Sequence, residues 1–122
     1  MSKGPGSDEK ARSAKLLRLL GLGVRGRGAI VGVNQVRQAA QRGKLQLAIA
    51  ASDASDNSLD KTLPLLKAKN IKVLIGPGMA ELGSAVGREV TAVVGVVDRR
   101  LADGIRALFP SAPPKDSEEE QG

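Results

Sequence analysis

The spacing of apolar and polar positions divides the chain into helices and strands. Leu16, Leu17, Leu19 and Leu20 recur at intervals of three and four among basic residues, which predicts an amphipathic helix ending at Gly21 or Gly23. Further along, short apolar runs alternate with stretches of helical periodicity. The predicted strands are 29–31, 45–51, 71–75 and 91–97, and the predicted helices between and after them are 34–42, 59–70, 79–86 and 98–109.

This alternation predicts an α/β fold with a central mixed sheet between helical layers. The run 91–97 is polar only at its ends, so we expect it to be buried on both faces. Residues 1–10 carry Gly, Pro, Ser and mixed charge and are expected to form a flexible, basic arm. Residues 110–122 are rich in proline and acid and are expected to form a disordered tail. A single domain is therefore expected over 11–109.

The helix at 34–42 has an unusual polar face, and Gly32 turns the chain into it. Its apolar side comprises Val33, Val36, Ala39 and Ala40, and its other side comprises Asn34, Gln35, Gln38, Gln41 and Arg42. Amide side chains both donate and accept hydrogen bonds, and the unpaired backbone N–H groups at a helix start attract phosphate. The face is thus suited to reading a polar partner. The alternative interpretation is that Asn34 only caps the helix.

Positive charge is concentrated in the first half of this 122-residue chain, whose formal net charge is +6. Ala11 to Ser52 contains eight basic residues and no acidic one. Between residues 10 and 109 there are 17 basic and 7 acidic residues, a net charge of 17 − 7 = +10. Such a surface is typical of proteins that bind a polyanion, most commonly nucleic acid. The alternative interpretation is a basic surface that serves only solubility. The acidic tail is expected to compete weakly for the basic surface.

The residue types that are missing restrict the chemistry. The chain has no cysteine and no histidine, which removes most zinc and haem ligands and the commonest general base. We therefore expect neither an enzyme nor a metal or other cofactor, and interpret Asp53, Asp56 and Asp60 as loop and helix-start acids. No apolar run reaches the roughly 20 residues of a membrane span. A cytoplasmic protein without membrane contact is expected.

One glycine-rich motif is typical of a different function, dinucleotide binding. Gly21 to Gly26 matches the G-x-G-x-x-G dinucleotide fingerprint letter for letter. That fingerprint requires a strand before it and a helix after it. Here a predicted helix precedes the motif, so we interpret its glycines as a helix-to-strand turn.

Four segments resemble the kink-turn-binding ribosomal protein family typified by archaeal ribosomal protein L7Ae. Residues 32–39 resemble the Gly-x-Asn-Glu-x-x-Lys-Ala opening of its RNA-reading helix. Residues 49–54 are similar to its second strand and acidic loop, 63–70 to its proline-bearing helix, and 81–87 to its E-L-G-x-A-x-G turn. The resemblance runs in the right order from about Leu16 to Leu108.

The resemblance implies a three-layer α/β/α sandwich with a central mixed four-stranded sheet. It also implies binding to the kink-turn, a sharply bent RNA helix with tandem sheared G·A pairs beside a three-nucleotide bulge. Family members read the guanines with side chains matching Asn34, Gln35 and Gln38, and support the bulge with a loop matching 88–91. The expected RNA-binding residues are Gly32, Val33, Asn34, Gln35, Gln38, Arg42, Arg88, Glu89, Val90 and Thr91.

Two departures distinguish the chain from archaeal members: Gln35 stands in place of Glu, and Gln38 in place of Lys. Neutral hydrogen bonds are weaker than charged ones, so binding is expected to be weaker by about one to two orders of magnitude. The chain looks most like the bacterial branch of the family. The expected partner of a monomer is structured RNA, including ribosomal RNA, without DNA specificity. The alternative is a protein-interaction or scaffold module of the same fold without specific RNA recognition.

Overall fold

Five helices and four strands alternate along the described part of the chain. The structure is a computed structural model that describes the backbone of residues 4–109 and the side chains of residues 10–109. In chain order the elements are α1 (Gly4–Arg25), β1 (Ala29–Val31), α2 (Val33–Gln41), β2 (Leu47–Ala51), α3 (Asp56–Ala68), β3 (Val73–Gly76), α4 (Met79–Val86), β4 (Val93–Val96) and α5 (Arg99–Arg106). The predicted order is therefore confirmed. The tail predicted for 110–122 lies outside the described residues.

The strands form one mixed sheet in the order β1-β4-β2-β3. β2 runs parallel to β3, whereas β4 is antiparallel to both β1 and β2. β1, β2 and β3 consequently end at the same end of the sheet, where β4 begins. We call this the carboxyl end, and the end where β1, β2 and β3 begin the amino end.

Helices cover both faces of the sheet, because alternate strand residues point to opposite faces. Under α1, α4 and α5 the buried side chains include Leu16, Leu20, Leu47, Ile49, Leu82, Val94 and Ile105. Under α2 and α3 they include Val36, Ala40, Ala48, Leu66 and Val93. All of β4 is buried, as expected. The three-layer α/β/α sandwich with a central mixed four-stranded sheet is confirmed.

The predicted end of α1 was wrong. The helix continues through Gly21 and Gly23 to Arg25. A Cβ atom at Gly21 would come within 2.7 Å of the Ala85 carbonyl oxygen, and one at Gly23 would collide with the Leu101 side chain. These glycines let α4 and α5 approach α1, so two of the three glycines in the fingerprint-like motif lie inside a helix.

α1 also begins earlier than expected. It starts at Gly4, so residues 4–10, which were expected to belong to a flexible arm, are helical in the structure. Pro5 is compatible with this start because proline in the first turn removes no intrahelical hydrogen bond. None of the helices in residues 4–109 is both long enough and apolar enough to cross a membrane.

The proline in α3 does not divide that helix. α3 is assigned from Asp56 to Ala68 with Pro64 inside it. Of Leu59, Leu63 and Leu66, which recur at helical spacing, only Leu66 is fully buried, and Thr62 is buried beside it. The Thr62 hydroxyl donates to the Ser58 carbonyl oxygen at 2.9 Å, which satisfies its polar group.

Candidate nucleic-acid interface

Gly32 fixes the start of α2 to the sheet. Its φ of 99° and ψ of 158° lie in a region that side chains other than glycine rarely adopt. The Gly32 N–H donates to the Val93 carbonyl oxygen, and the Gly32 carbonyl oxygen accepts from the Val36 N–H, both at 3.0 Å. This residue is therefore both the β1–α2 turn and the N-cap of α2.

Asn34 is not the cap of α2. The cap position is Gly32, and no side chain there bonds the first turn. The Asn34 and Gln35 side chains are exposed, and neither hydrogen-bonds another described residue. The backbone N–H groups of Val33, Asn34 and Gln35 also have no acceptor among the described residues. This first turn thus presents free donors and two amide side chains to a ligand.

A surface depression of about 460 Å³ brings this turn together with two other elements. It is lined by Val31, Gly32, Val33, Asn34, Gln35, Ser58, Lys61 and Arg88. Arg88 comes from the α4–β4 loop, so the loop expected from the resemblance lies beside Asn34 and Gln35. Arg88 and Lys61 both line the depression, so they add positive charge to the surface that carries the free N–H groups.

Ser58 and Lys61 were not predicted from the sequence. They lie in the first half of α3, for which the apolar spacing predicted only a core helix. The Arg37 side chain donates to the Lys61 carbonyl oxygen and so joins α2 to α3. No local motif marks this contact, because it results from the packing of two helices on the same face of the sheet.

The loop between α4 and β4 is positioned by two glycines. A Cβ atom at Gly83 would lie 2.8 Å from both the Glu89 carbonyl oxygen and the Val90 Cα atom. Gly87 ends α4 in the left-handed conformation with φ 80°. The loop therefore packs directly on α4, which requires glycine at position 83.

Within this loop the expected residues differ in exposure. Arg88, Glu89 and Val90 are exposed, and Val90 is 60% accessible. Thr91 is 4% accessible, and its hydroxyl has no hydrogen-bond partner among the described residues. Its backbone N–H donates to the Met79 carbonyl oxygen at 3.0 Å. Val90 is thus presented at the surface, whereas Thr91 points inward.

Two acidic side chains near the carboxyl end bond to backbone amides. Asp53 Oδ1 accepts from the Met79 N–H at 2.7 Å, and Glu81 Oε1 accepts from the Gly78 N–H at 3.0 Å. Both carboxylates therefore stabilise the start of α4. The loop at 52–55 therefore contacts the start of α4 and does not line the depression.

The remaining predicted residues lie at two places on α2. Gln38 is exposed and lies one turn beyond Asn34 on the same face. Arg42 is the C-cap residue and lies about 12 Å along the helix axis from Asn34, from eight residues at ~1.5 Å each. It does not line the depression.

Comparisons with known proteins agree with this architecture. The family model described as ribosomal protein L7Ae/L30e/S12e/Gadd45 matches residues 14–103. A solved structure of a protein with unknown function from Bacillus halodurans is similar with a TM-score of 0.73 and 35% identity, covering 80% of this chain and 99% of that one. A 15.5kD RNA binding protein from Giardia lamblia has the same fold, with a TM-score of 0.68 and 23% identity over 82% of this chain and 86% of that one. A search of curated proteins found no match. On the family match and the Bacillus halodurans relative, the chain belongs to the ribosomal protein L7Ae/L30e/S12e/Gadd45 family.

Proposed function

We propose that this protein is a non-catalytic RNA-binding protein that recognises kink-turn RNA with the carboxyl end of its sheet. One observation carries the proposal: the free N–H groups and exposed amides of the first turn of α2 share a depression with Lys61 and Arg88. The depression combines groups that read base edges with groups that bind phosphate.

Each part of the site has a role in this proposal. The amides of Asn34 and Gln35 donate to and accept from the exposed edges of the sheared G·A pairs, and Gln38 extends this contact by one helical turn. The helix start, Lys61 and Arg88 bind the phosphates of the sharply bent backbone. Val90 gives a bulged base an apolar support. Aromatic stacking does not contribute in the depression, since Phe109 is the only aromatic residue of the chain and packs beside Arg12.

Membership of the family and the name of the Giardia lamblia neighbour support RNA as the ligand. We propose a monomer that acts in the cytoplasm on structured RNA, with ribosomal RNA as the first candidate. No step of this binding calls for a cofactor or for membrane contact.

A second candidate function is a protein-interaction module of the same fold. The observation that favours it is a groove between α1 and α4 that includes Leu17, Leu22 and Ala85. Leu22 is 53% accessible, so it leaves apolar surface exposed in this groove. This groove shares no lining residue with the depression at α2.

A titration against two RNAs tests the proposed function. The first RNA contains a kink-turn, and the second is identical except that both G·A pairs are replaced by Watson–Crick pairs. We expect tighter binding to the kink-turn at every salt concentration, since only that RNA exposes the sheared guanine edges. Equal affinity for the two RNAs would overturn the proposal and leave the module as the better candidate.

A further inference from the structure

The amino end of the sheet carries pairs of exposed cations in each connection that reaches it. The end of α1 and the connection to β1 contribute Arg25 and Arg27, and the α2–β2 connection contributes Arg42 and Lys44. The α3–β3 connection contributes Lys69 and Lys72, and the first turn of α5, directly after β4, contributes Arg99 and Arg100. These eight side chains, which we call the amino-end cations, are all exposed.

Backbone hydrogen bonds show that these connections lie at the same end of the sheet. The Val97 N–H donates to the Gly28 carbonyl oxygen, and the Gln46 N–H donates to the Val96 carbonyl oxygen. The Ala48 N–H donates to the Lys72 carbonyl oxygen. The start of β1, β2 and β3 and the end of β4 are therefore adjacent, and their flanking cations surround one surface.

Acidic side chains offset little of this charge, since Asp98 is the one carboxylate within these segments against eight cations. Asp98 Oδ2 accepts from the Leu101 N–H at 2.8 Å as the cap of α5, and Asp103 is paired with Arg106 at 2.9 Å. At the carboxyl end the balance is different, because the connections there contain Arg88 against Asp53 and Glu89. Most of the excess positive charge of the connections thus lies opposite the proposed reading site.

One of the amino-end cations is held in a conformation that costs energy. Arg27 has φ 66° between Gly26 and Gly28, and the other described residue besides glycine with positive φ is Asn70 at the same end. A left-handed arginine is less stable than a glycine there by about 1 kcal/mol. The chain keeps a cation at a position where backbone geometry favours glycine.

We propose that the amino end of the sheet is a second RNA-binding surface, which holds the phosphate backbone of another RNA segment while the carboxyl end reads the kink-turn. The choice of RNA over other polyanions rests on the proposed function. The five residues of β2 separate the two ends by about 16 Å, so a duplex bound at one end does not cover the other. Cations spread over four connections fit a duplex backbone, which needs charge but no base reading.

Two variants with the same change in charge test this proposal. The first, Lys44→Gln/Lys69→Gln/Arg99→Gln, removes amino-end cations from three connections. The control, Lys10→Gln/Lys15→Gln/Arg18→Gln, also removes two lysines and one arginine, from exposed positions of α1. None of these side chains hydrogen-bonds another described residue, so both variants should fold. If a thermal melt shows that the first variant does not fold, a second variant, Arg42→Gln/Lys72→Gln, is used in its place.

The readout is the dependence of affinity on salt, measured with the kink-turn RNA and with the fully paired RNA. Removal of one phosphate-binding cation lowers the slope of log K against log salt by about 0.7–0.9. The slope of the first variant should therefore fall by roughly 2 with the fully paired RNA, which binds at the amino end, and should stay nearly unchanged with the kink-turn RNA, which binds at the carboxyl end. The slope of the control should fall by less than about 1 with the fully paired RNA, and the kink-turn should remain the more tightly bound RNA in both variants. Equal decreases of slope in the two variants would overturn the proposal that the amino end is a second RNA-binding surface.

A capture experiment tests whether both ends bind at once. The wild-type complex with unlabelled kink-turn RNA should bind a labelled duplex, and the Lys44/Lys69/Arg99 variant should bind it at least about tenfold more weakly. Failure of the wild-type complex to bind the duplex overturns the proposal. If the wild type binds both RNAs equally, the proposed kink-turn function fails, and the slope comparison still decides whether the amino end binds RNA.

Discussion

The Val90 backbone packs directly on Gly83, since a Cβ atom at residue 83 would approach the Val90 Cα atom to 2.8 Å. Gly83→Ala must therefore displace the Glu89–Val90 backbone or tilt α4. We expect a loss of about 1–3 kcal/mol in the free energy of unfolding, as for other overpacked sites. Affinity for the kink-turn RNA should fall as well, because the loop carries Arg88 and Val90. The control is Ser84→Ala, at the next and exposed position of α4; equal melting temperatures of the two variants would contradict this packing.

Substitution of Asn34 should change RNA recognition without changing the stability of the protein. Because its exposed side chain neither caps α2 nor bonds a described residue, Asn34→Ala should leave the melting temperature nearly unchanged. The same substitution should abolish the preference for the kink-turn over the fully paired RNA. Gln41→Ala is the matched control, since it removes an exposed amide from the last residue of the same helix. The assignment fails if Asn34→Ala retains the preference, or if Gln41→Ala loses it too.

The order of the elements was predictable because their apolar periodicity is local. The end of α1 was not, since Gly21 and Gly23 have the appearance of a turn in sequence but are needed for the approach of α4 and α5. The sequence alone does not show whether a glycine is needed for a positive φ or for the close packing of two elements. The three-dimensional packing decides between the two.

The candidate site was predictable to a similar extent. The resemblance identified Asn34, Gln35 and the loop with Arg88, and the structure brings them into one depression. Lys61 was missed because nothing local links α3 to α2. The shared helix face predicts a site that includes both Asn34 and Arg42, although the length of α2 places them at opposite ends of the sheet.

Gly32 and Gly104 should respond in opposite ways to alanine. At both positions a Cβ atom would meet nothing within 4 Å, so sterics with neighbours do not distinguish them. Gly32 has φ 99°, and Gly32→Ala should cost about 1–2 kcal/mol in the free energy of unfolding. Gly104 lies inside α5, and Gly104→Ala should stabilise the protein by about 0.5–1 kcal/mol. Chemical denaturation measures both changes. A Gly32→Ala variant as stable as the wild type would contradict the role of the Gly32 turn, and a destabilised Gly104→Ala variant would contradict the prediction for α5.

Asp53 stabilises α4 from a different part of the chain. Asp53→Ala removes the acceptor for the Met79 N–H and should cost about 0.5–2 kcal/mol in the free energy of unfolding. Asp60→Ala removes an equal charge from an exposed position of α3 whose side chain makes no hydrogen bond to a described residue. Its unfolding free energy should change by less than about 0.5 kcal/mol. Denaturant titrations of the two variants check this difference, and similar decreases would show that charge alone is responsible.

Restoring the family's charged residues should tighten binding to the kink-turn. Gln35 lines the depression with Lys61 and Arg88, so Gln35→Glu places a carboxylate acceptor in a depression that two cations also line. Gln38→Lys adds a cation on the same exposed face. Hydrogen bonds to charged groups contribute about 1.5–3 kcal/mol against about 1 for neutral ones, so the double variant should bind roughly 10- to 100-fold more tightly. The gain should be confined to the kink-turn RNA, since the carboxylate repels a phosphate backbone that exposes no guanine edge. Gln41→Glu, at the far end of the same helix, should produce no gain with either RNA. A double variant that binds both RNAs more tightly by the same factor would show that Gln38→Lys acts through charge alone and that residue 35 does not face the guanines.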